Sequence, residues 1–241
     1  AGIRNFAKLL SANVVAQVIG LLVYPILTRI YAPEDVGLLN LFLSIGNVLV
    51  VLSIADYYYA IVLPKNEKDA VALTHISLLF LLTTTILVAL SVLFSTPISM
   101  IFKSPNLAKY YWLMPLYVLI MGMWNVLNYW YIRKKSFGRI SGYQISQSIL
   151  SAGGKLGLGY AGVLQGGMIY ATVIAPFIAL LSSLLLSFRK TLRPLLFFSK
   201  IVFQLPDQQK TQKKKIISSG PTTEFQFFIK FSVISSFDSQ G

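Results

Sequence analysis

An all-α membrane protein with six transmembrane helices is the fold class this sequence predicts, and three observations predict it. Of its 241 residues, 55% are hydrophobic and only 12% charged, whereas soluble domains average about 25% charged. The apolar residues gather into six runs, each long enough to cross a bilayer, which takes about 20 residues of helix. The charges are confined to short clusters between those runs. A soluble fold would still need a charged surface to meet water.

The runs cover approximately residues 9–30, 36–63, 70–94, 110–132, 140–161 and 166–188. Each is expected to be a helix, because lipid offers backbone groups no partner and only internal bonding satisfies them. The first run is too long for a signal-peptide core and no small-residue cleavage site follows, so it reads as an uncleaved span. Short connectors such as Tyr31-Ala32-Pro33-Glu34-Asp35 make consecutive helices antiparallel neighbours. Tyr57-Tyr58-Tyr59, Tyr110-Tyr111-Trp112 and Tyr129-Trp130-Tyr131 fall near span ends, where amphipathic rings anchor at the interface.

Basic residues in short loops set the orientation. With the N-terminus inside, Arg4, Lys8, Lys65, Lys68, Arg133, Lys134, Lys135, Arg139, Arg189, Lys190 and Arg193 lie on the cytoplasmic side, against Arg29, Lys103 and Lys109 outside. Both termini are then cytoplasmic. Residues 1–193 form the six-helix lobe. Residues 194–241 are expected to be a polar, basic, poorly ordered cytoplasmic tail, whose last apolar run, 225–237, is interrupted by Lys230 and is too short to span.

The residue inventory excludes several chemistries. There is no cysteine and one histidine, His75, so disulfides, thiolate metal sites, His-rich metal sites and a Ser-His-Asp triad are ruled out. No phosphate-cradling loop, nucleophile elbow or catalytic carboxylate pair is present, and the chain is not expected to be an enzyme. The net charge of +13 flanks apolar segments instead of forming one basic face, which argues against nucleic acid. His75 reads as a hydrogen-bonded packing residue, and Pro115 and Pro176 as breaks within spans that can serve as hinges.

Polar residues within spans carry the functional signal, because hydrocarbon tolerates them only toward a bundle interior or a wet cavity. In the first span Asn13, Gln17, Gly20, Tyr24 and Thr28 share one face. Asn40, Ser44 and Asn47 do so in the second, and Gln144, Ser148, Ser151 and Lys155 in the fifth. Packing glue between helices accounts for many such stripes. Lys155 is charged and expected near mid-depth, so it faces an aqueous cavity or pairs with an acid, for which Asp56 is the candidate.

One stretch resembles a family. Arg4-Asn5-Phe6-Ala7-Lys8, followed by Tyr24-Pro25-Ile26-Leu27-Thr28-Arg29-Ile30-Tyr31-Ala32-Pro33-Glu34-Asp35-Val36-Gly37, is similar to the first span and outer loop of bacterial polysaccharide flippases. These belong to the multidrug/oligosaccharidyl-lipid/polysaccharide exporter superfamily. Tyr59-Ala60-Ile61-Val62-Leu63-Pro64-Lys65 and Asn128-Tyr129-Trp130-Tyr131-Ile132-Arg133-Lys134-Lys135 add to the resemblance, which covers about residues 4–190. It departs from the family at Asp56-Tyr57-Tyr58-Tyr59, where relatives carry other charges.

The resemblance implies one lobe of a two-lobed fold that works by alternating access. The substrate would be an undecaprenyl-pyrophosphate-linked oligosaccharide used in O-antigen or other cell-surface polysaccharide synthesis. It would be exported across the bacterial inner membrane, with coupling to a proton or sodium gradient. Arg4, Arg29 and Lys155 are the expected partners of its pyrophosphate, since cations in a low-dielectric site bind phosphate strongly. The family pattern fades after about residue 195, so the chain is expected to be an N-terminal half that does not transport by itself. Two alternatives stand beside this reading. One is a drug or cation exporter of the same superfamily. The other is a membrane scaffold that associates with glycan polymerases or glycosyltransferases.

Overall fold

The computed structural model describes residues 2–54, 61–64, 66–164 and 166–187. Its elements are helices: α1 (Gly2–Ile30), α2 (Pro33–Ile54), α3 (Glu67–Ser91), α4 (Ser95–Ile101), α5 (Pro105–Tyr110), α6 (Met114–Arg133), α7 (Phe137–Tyr160) and α8 (Gly167–Ser187). Short 3-10 turns, Val92–Phe94 and Tyr111–Leu113, join α3 to α4 and α5 to α6. These elements belong to one compact unit, Ala1–Leu196. The expected tail, residues 194–241, lies outside the described residues.

Among the described residues, five stretches are long and apolar enough to cross a membrane: Ser11–Ile30, Pro33–Ser53, Asp69–Ile101, Pro105–Arg133 and Gly167–Leu185. The sixth long helix, α7, has the length, since its 24 residues rise about 36 Å. It lacks the hydropathy, because Gln144, Gln147, Ser148, Ser151 and Lys155 interrupt its apolar residues. It packs along both α1 and α8, and that screening lets a polar helix sit in a bilayer. The chain is an all-α, multi-pass membrane protein.

The core is built around α6, which packs on α2, α3, α7 and α8. Met114, Val118, Trp130 and Tyr131 of this helix are sealed from solvent. The outer surface is the reverse of a soluble protein's. Leu21 of α1 is 75% exposed, and Leu22, Leu79, Leu82, Leu90 and Leu185 also face outward. An apolar surface this extensive belongs against lipid.

Connectors gather at two opposite ends, as alternating crossings require. At one end the Arg133 guanidinium donates to the carbonyls of Ile61 at 3.1 Å, Pro64 at 2.7 Å and Asn66 at 3.2 Å. Beside it Lys134 pairs with Glu67. At the other end the Tyr31 ring fits against Gly159 and Gly167, and Tyr110 covers Gly166, whose φ of +75° no ordinary side chain adopts easily.

Local details refine the sequence reading. His75 donates from Nδ1 to the Val71 carbonyl at 2.8 Å, the expected packing role. Pro176 stands inside α8. Pro115 stands inside the span Pro105–Arg133, as expected, at the first turn of α6, where its missing N–H removes no helical bond.

Candidate functional site

The site forms where α1 and α7 lie side by side. Both are odd-numbered crossings, so they run parallel. Their polar stripes also have identical spacing: Asn13, Gln17, Gly20 and Tyr24 on one, Gln144, Ser148, Ser151 and Lys155 on the other, each at i, i+4, i+7 and i+11. Two parallel helices with equally spaced stripes keep rung facing rung over three turns.

Three contacts hold that register. Ser148 Oγ donates to the Ala16 carbonyl at 3.0 Å. The Tyr31 hydroxyl donates to the Lys155 carbonyl at 2.7 Å. Gly159 admits α1 closely, since a Cβ there would stand 2.7 Å from Ile30 Cγ2 and 3.1 Å from the Tyr31 ring. Small residues at such a seam let membrane helices approach where apolar bulk would hold them apart.

All eight stripe residues line one cleft of about 640 Å³. Gln147 of α7, Trp124 of α6 and the apolar Ala16, Val23, Leu27 and Ala152 complete it. Tyr143 stacks on Trp124 with ring centroids 3.3 Å apart and planes at 12°. Gln144 Oε1 and the Tyr143 hydroxyl are buried without a hydrogen-bond partner among the described residues. A buried acceptor left unpaired costs about 1–3 kcal/mol, so this end of the cleft is prepared to accept a donor. Lys155 is half-buried on the wall. The ion pair among the described residues is Glu67 with Lys134, at the far end of the bundle, and no described carboxylate lines the cleft.

A family model described as polysaccharide biosynthesis protein matches residues 3–236. The chain belongs to that family. The match runs beyond residue 190, where the resemblance by motifs stops. No curated protein and no solved structure matches the chain. The site is therefore a polar cleft in a multi-pass membrane protein of the polysaccharide biosynthesis family.

Of the other residues expected at a site, Arg29 and Asn47 fall elsewhere. Arg29 is exposed in the last turn of α1, off the cleft. Asn47 accepts a 2.9 Å hydrogen bond from the Tyr117 hydroxyl, which ties α2 to α6 and leaves the cleft aside. Arg4 lies in the first turn of α1, with its side chain outside the described residues, and Asp56 is outside them altogether. The expected trio of cations thus contributes Lys155 alone to the described lining. Lys155 precedes the end of α7 by five residues, about 7.5 Å of rise.

Besides the apolar Ala16, Val23, Leu27 and Ala152, two lining residues were not singled out from the sequence. Gln147 follows Gln144 by three positions, a helical neighbour that widens the same face. Trp124 stands mid-helix, away from the interface where membrane tryptophans prefer to sit. That misplacement was its signal.

Proposed function

We propose that this protein lines the translocation path of a flippase, moving an undecaprenyl-pyrophosphate-linked oligosaccharide from the cytoplasmic to the periplasmic leaflet of a bacterial inner membrane. It performs no covalent chemistry. Both termini lie in the cytoplasm, with the Arg133–Lys135 end of the bundle inside. The observation that carries this reading is the α1–α7 cleft: an open strip of amides, hydroxyls and one ammonium between two helices, its α1 wall exposed, in a chain of the polysaccharide biosynthesis family. Such a strip lets a polar headgroup cross while its prenyl chain stays in lipid, and the Lys155 ammonium offsets phosphate charge. A drug or cation exporter would want a carboxylate there, and the described lining supplies an amine.

Photo-crosslinking tests the path. A prenyl-pyrophosphate disaccharide carrying a diazirine on its sugar is expected to label α1 and α7 around Gln17 and Ser148, with labelling cut about tenfold in Lys155→Met by the lost charge-assisted contact. Label confined to lipid-facing positions such as Leu22 and Leu90 would overturn it. Absence of label together with co-purification of a glycan polymerase would favour a scaffold. Orientation is tested separately, because the native chain has no cysteine. Asn66→Cys and Ser136→Cys are expected to resist an impermeant maleimide in intact cells, and Ser104→Cys to react.

A further inference from the structure

The lining chemistry is more specific than a general polar path. Polar groups along it are overwhelmingly neutral amides and hydroxyls. Asn13 and Gln17 come from α1, Gln144 and Gln147 from α7, and the described lining holds one cation, Lys155. A pyrophosphate alone calls for several cations or a fork of donors. A carbohydrate calls for something else. Its hydroxyls each donate and accept, and a carboxamide answers both functions, with an oxygen that accepts and an NH₂ that donates.

Position sharpens the point. Asn13 and Gln144 mark one end of the strip, Tyr24 and Lys155 the other, and eleven residues of helix separate them on each wall, about 16 Å of rise. At the amide end Gln144 Oε1 is buried without a partner among the described residues. The Trp124 ring lines the same cleft, fixed by Tyr143 stacked on it. A ligand hydroxyl donating to Gln144 Oε1 would satisfy an atom that no described residue pairs. An aromatic surface beside amides is also the usual make-up of a site for a ligand with both apolar and polar faces.

We propose that the α1–α7 cleft reads the sugar: Asn13, Gln17, Gln144 and Gln147 bind glycan hydroxyls beside Trp124, while Lys155, at the other end, meets the phosphate. The inference rests on the function proposed above and adds to it the division of labour within the cleft. Selectivity among glycans resides at the amide end, and affinity for any prenyl pyrophosphate at the lysine end.

Two probes separate these claims, measured by titration calorimetry on the full chain in lipid nanodiscs: farnesyl pyrophosphate, and the same compound bearing an N-acetylhexosamine disaccharide. The native protein is expected to bind the glycosylated probe at least about tenfold more tightly, the worth of one or two buried hydrogen bonds. Gln144→Leu and Gln147→Leu, each checked for an unchanged melting temperature, are expected to draw that ratio toward one. Lys155→Met is expected to weaken both probes by a common factor and keep the ratio. A ratio near one in the native protein overturns the sugar-reading strip and leaves the path intact. So does a ratio that survives both glutamine substitutions. A native protein that binds neither probe overturns the proposed function, and the strip with it.

Discussion

The Tyr31 hydroxyl donates a 2.7 Å hydrogen bond to the backbone carbonyl of Lys155, across 124 positions of sequence. Tyr31 lies in the connector between α1 and α2, and its ring is 3% exposed. One residue thus pins the end of the first crossing to the helix that carries the cleft's ammonium. Tyr31→Phe keeps the packing and removes the bond. It is expected to destabilise the protein by about 1 kcal/mol, whereas Tyr31→Ala also opens a cavity and costs about 3–5 kcal/mol. Denaturant titration in detergent, with both variants against the parent, checks the order.

Arg133 is the corresponding pin at the opposite end. Its guanidinium reaches four carbonyls between Ile61 and Asn66, a geometry that needs a planar fork of donors. Arg133→Lys keeps the charge and loses the fork. A loss of about 1–3 kcal/mol is expected, with faster hydrogen exchange confined to the α2–α3 connector. Unchanged exchange there would show that the charge alone suffices.

The ends of α4, α6 and α7 share one device. At α6, the Ser136 N–H bonds to the Tyr131 carbonyl at 2.9 Å and the Lys135 N–H to the Ile132 carbonyl at 2.9 Å. That pair of bonds requires a left-handed residue, and Lys135 supplies it at φ 53°. At α7 the same position is Gly162, the residue suited to it. Lys135→Gly is therefore expected to stabilise the protein by about 0.5–1 kcal/mol, read as a rise in melting temperature.

The Glu67 carboxyl is held below its ordinary value by the hydrogen bond from Lys134 and then by the charge of that residue. A carboxyl lowered in the folded state adds stability above its unfolded value, 4.5, and loses it as pH falls through the lower folded value. Both partners are exposed, at 38% and 57%, so the contribution is at most about 1 kcal/mol and shrinks with salt. Glu67→Gln is expected to flatten stability against pH below that value and to leave the neutral range nearly unchanged. An acid limb as steep as the parent's would assign the dependence to another carboxylate.

Much of the architecture was legible in the sequence because a bilayer imposes a coarse rule. Backbone in hydrocarbon must be helical and about 20 residues long, so the six runs could be counted directly. The polar stripes were legible for a similar reason, since a repeat of i, i+4, i+7, i+11 fixes one helical face whatever lies opposite. The break within the span Pro105–Arg133 shows the limit of such reading. Hydropathy averages over a window and could not see that α6 begins at Met114, after a 3-10 turn.

The sequence by itself determined that this protein is a bundle of membrane helices, and that Asn13 and Gln17 share one helical face and Gln144 and Lys155 another. Periodicity and the cost of burying polar groups in hydrocarbon are local properties, carried by each helix alone. Only the tertiary structure decided which stripes meet. It paired α1 with α7 around a common cleft, brought in Trp124 from α6, and left Arg29 and Asn47 outside. That choice turns on the fit of Gly159 against Ile30 and Tyr31. Such a contact joins residues far apart in the chain, and no period along one helix encodes it.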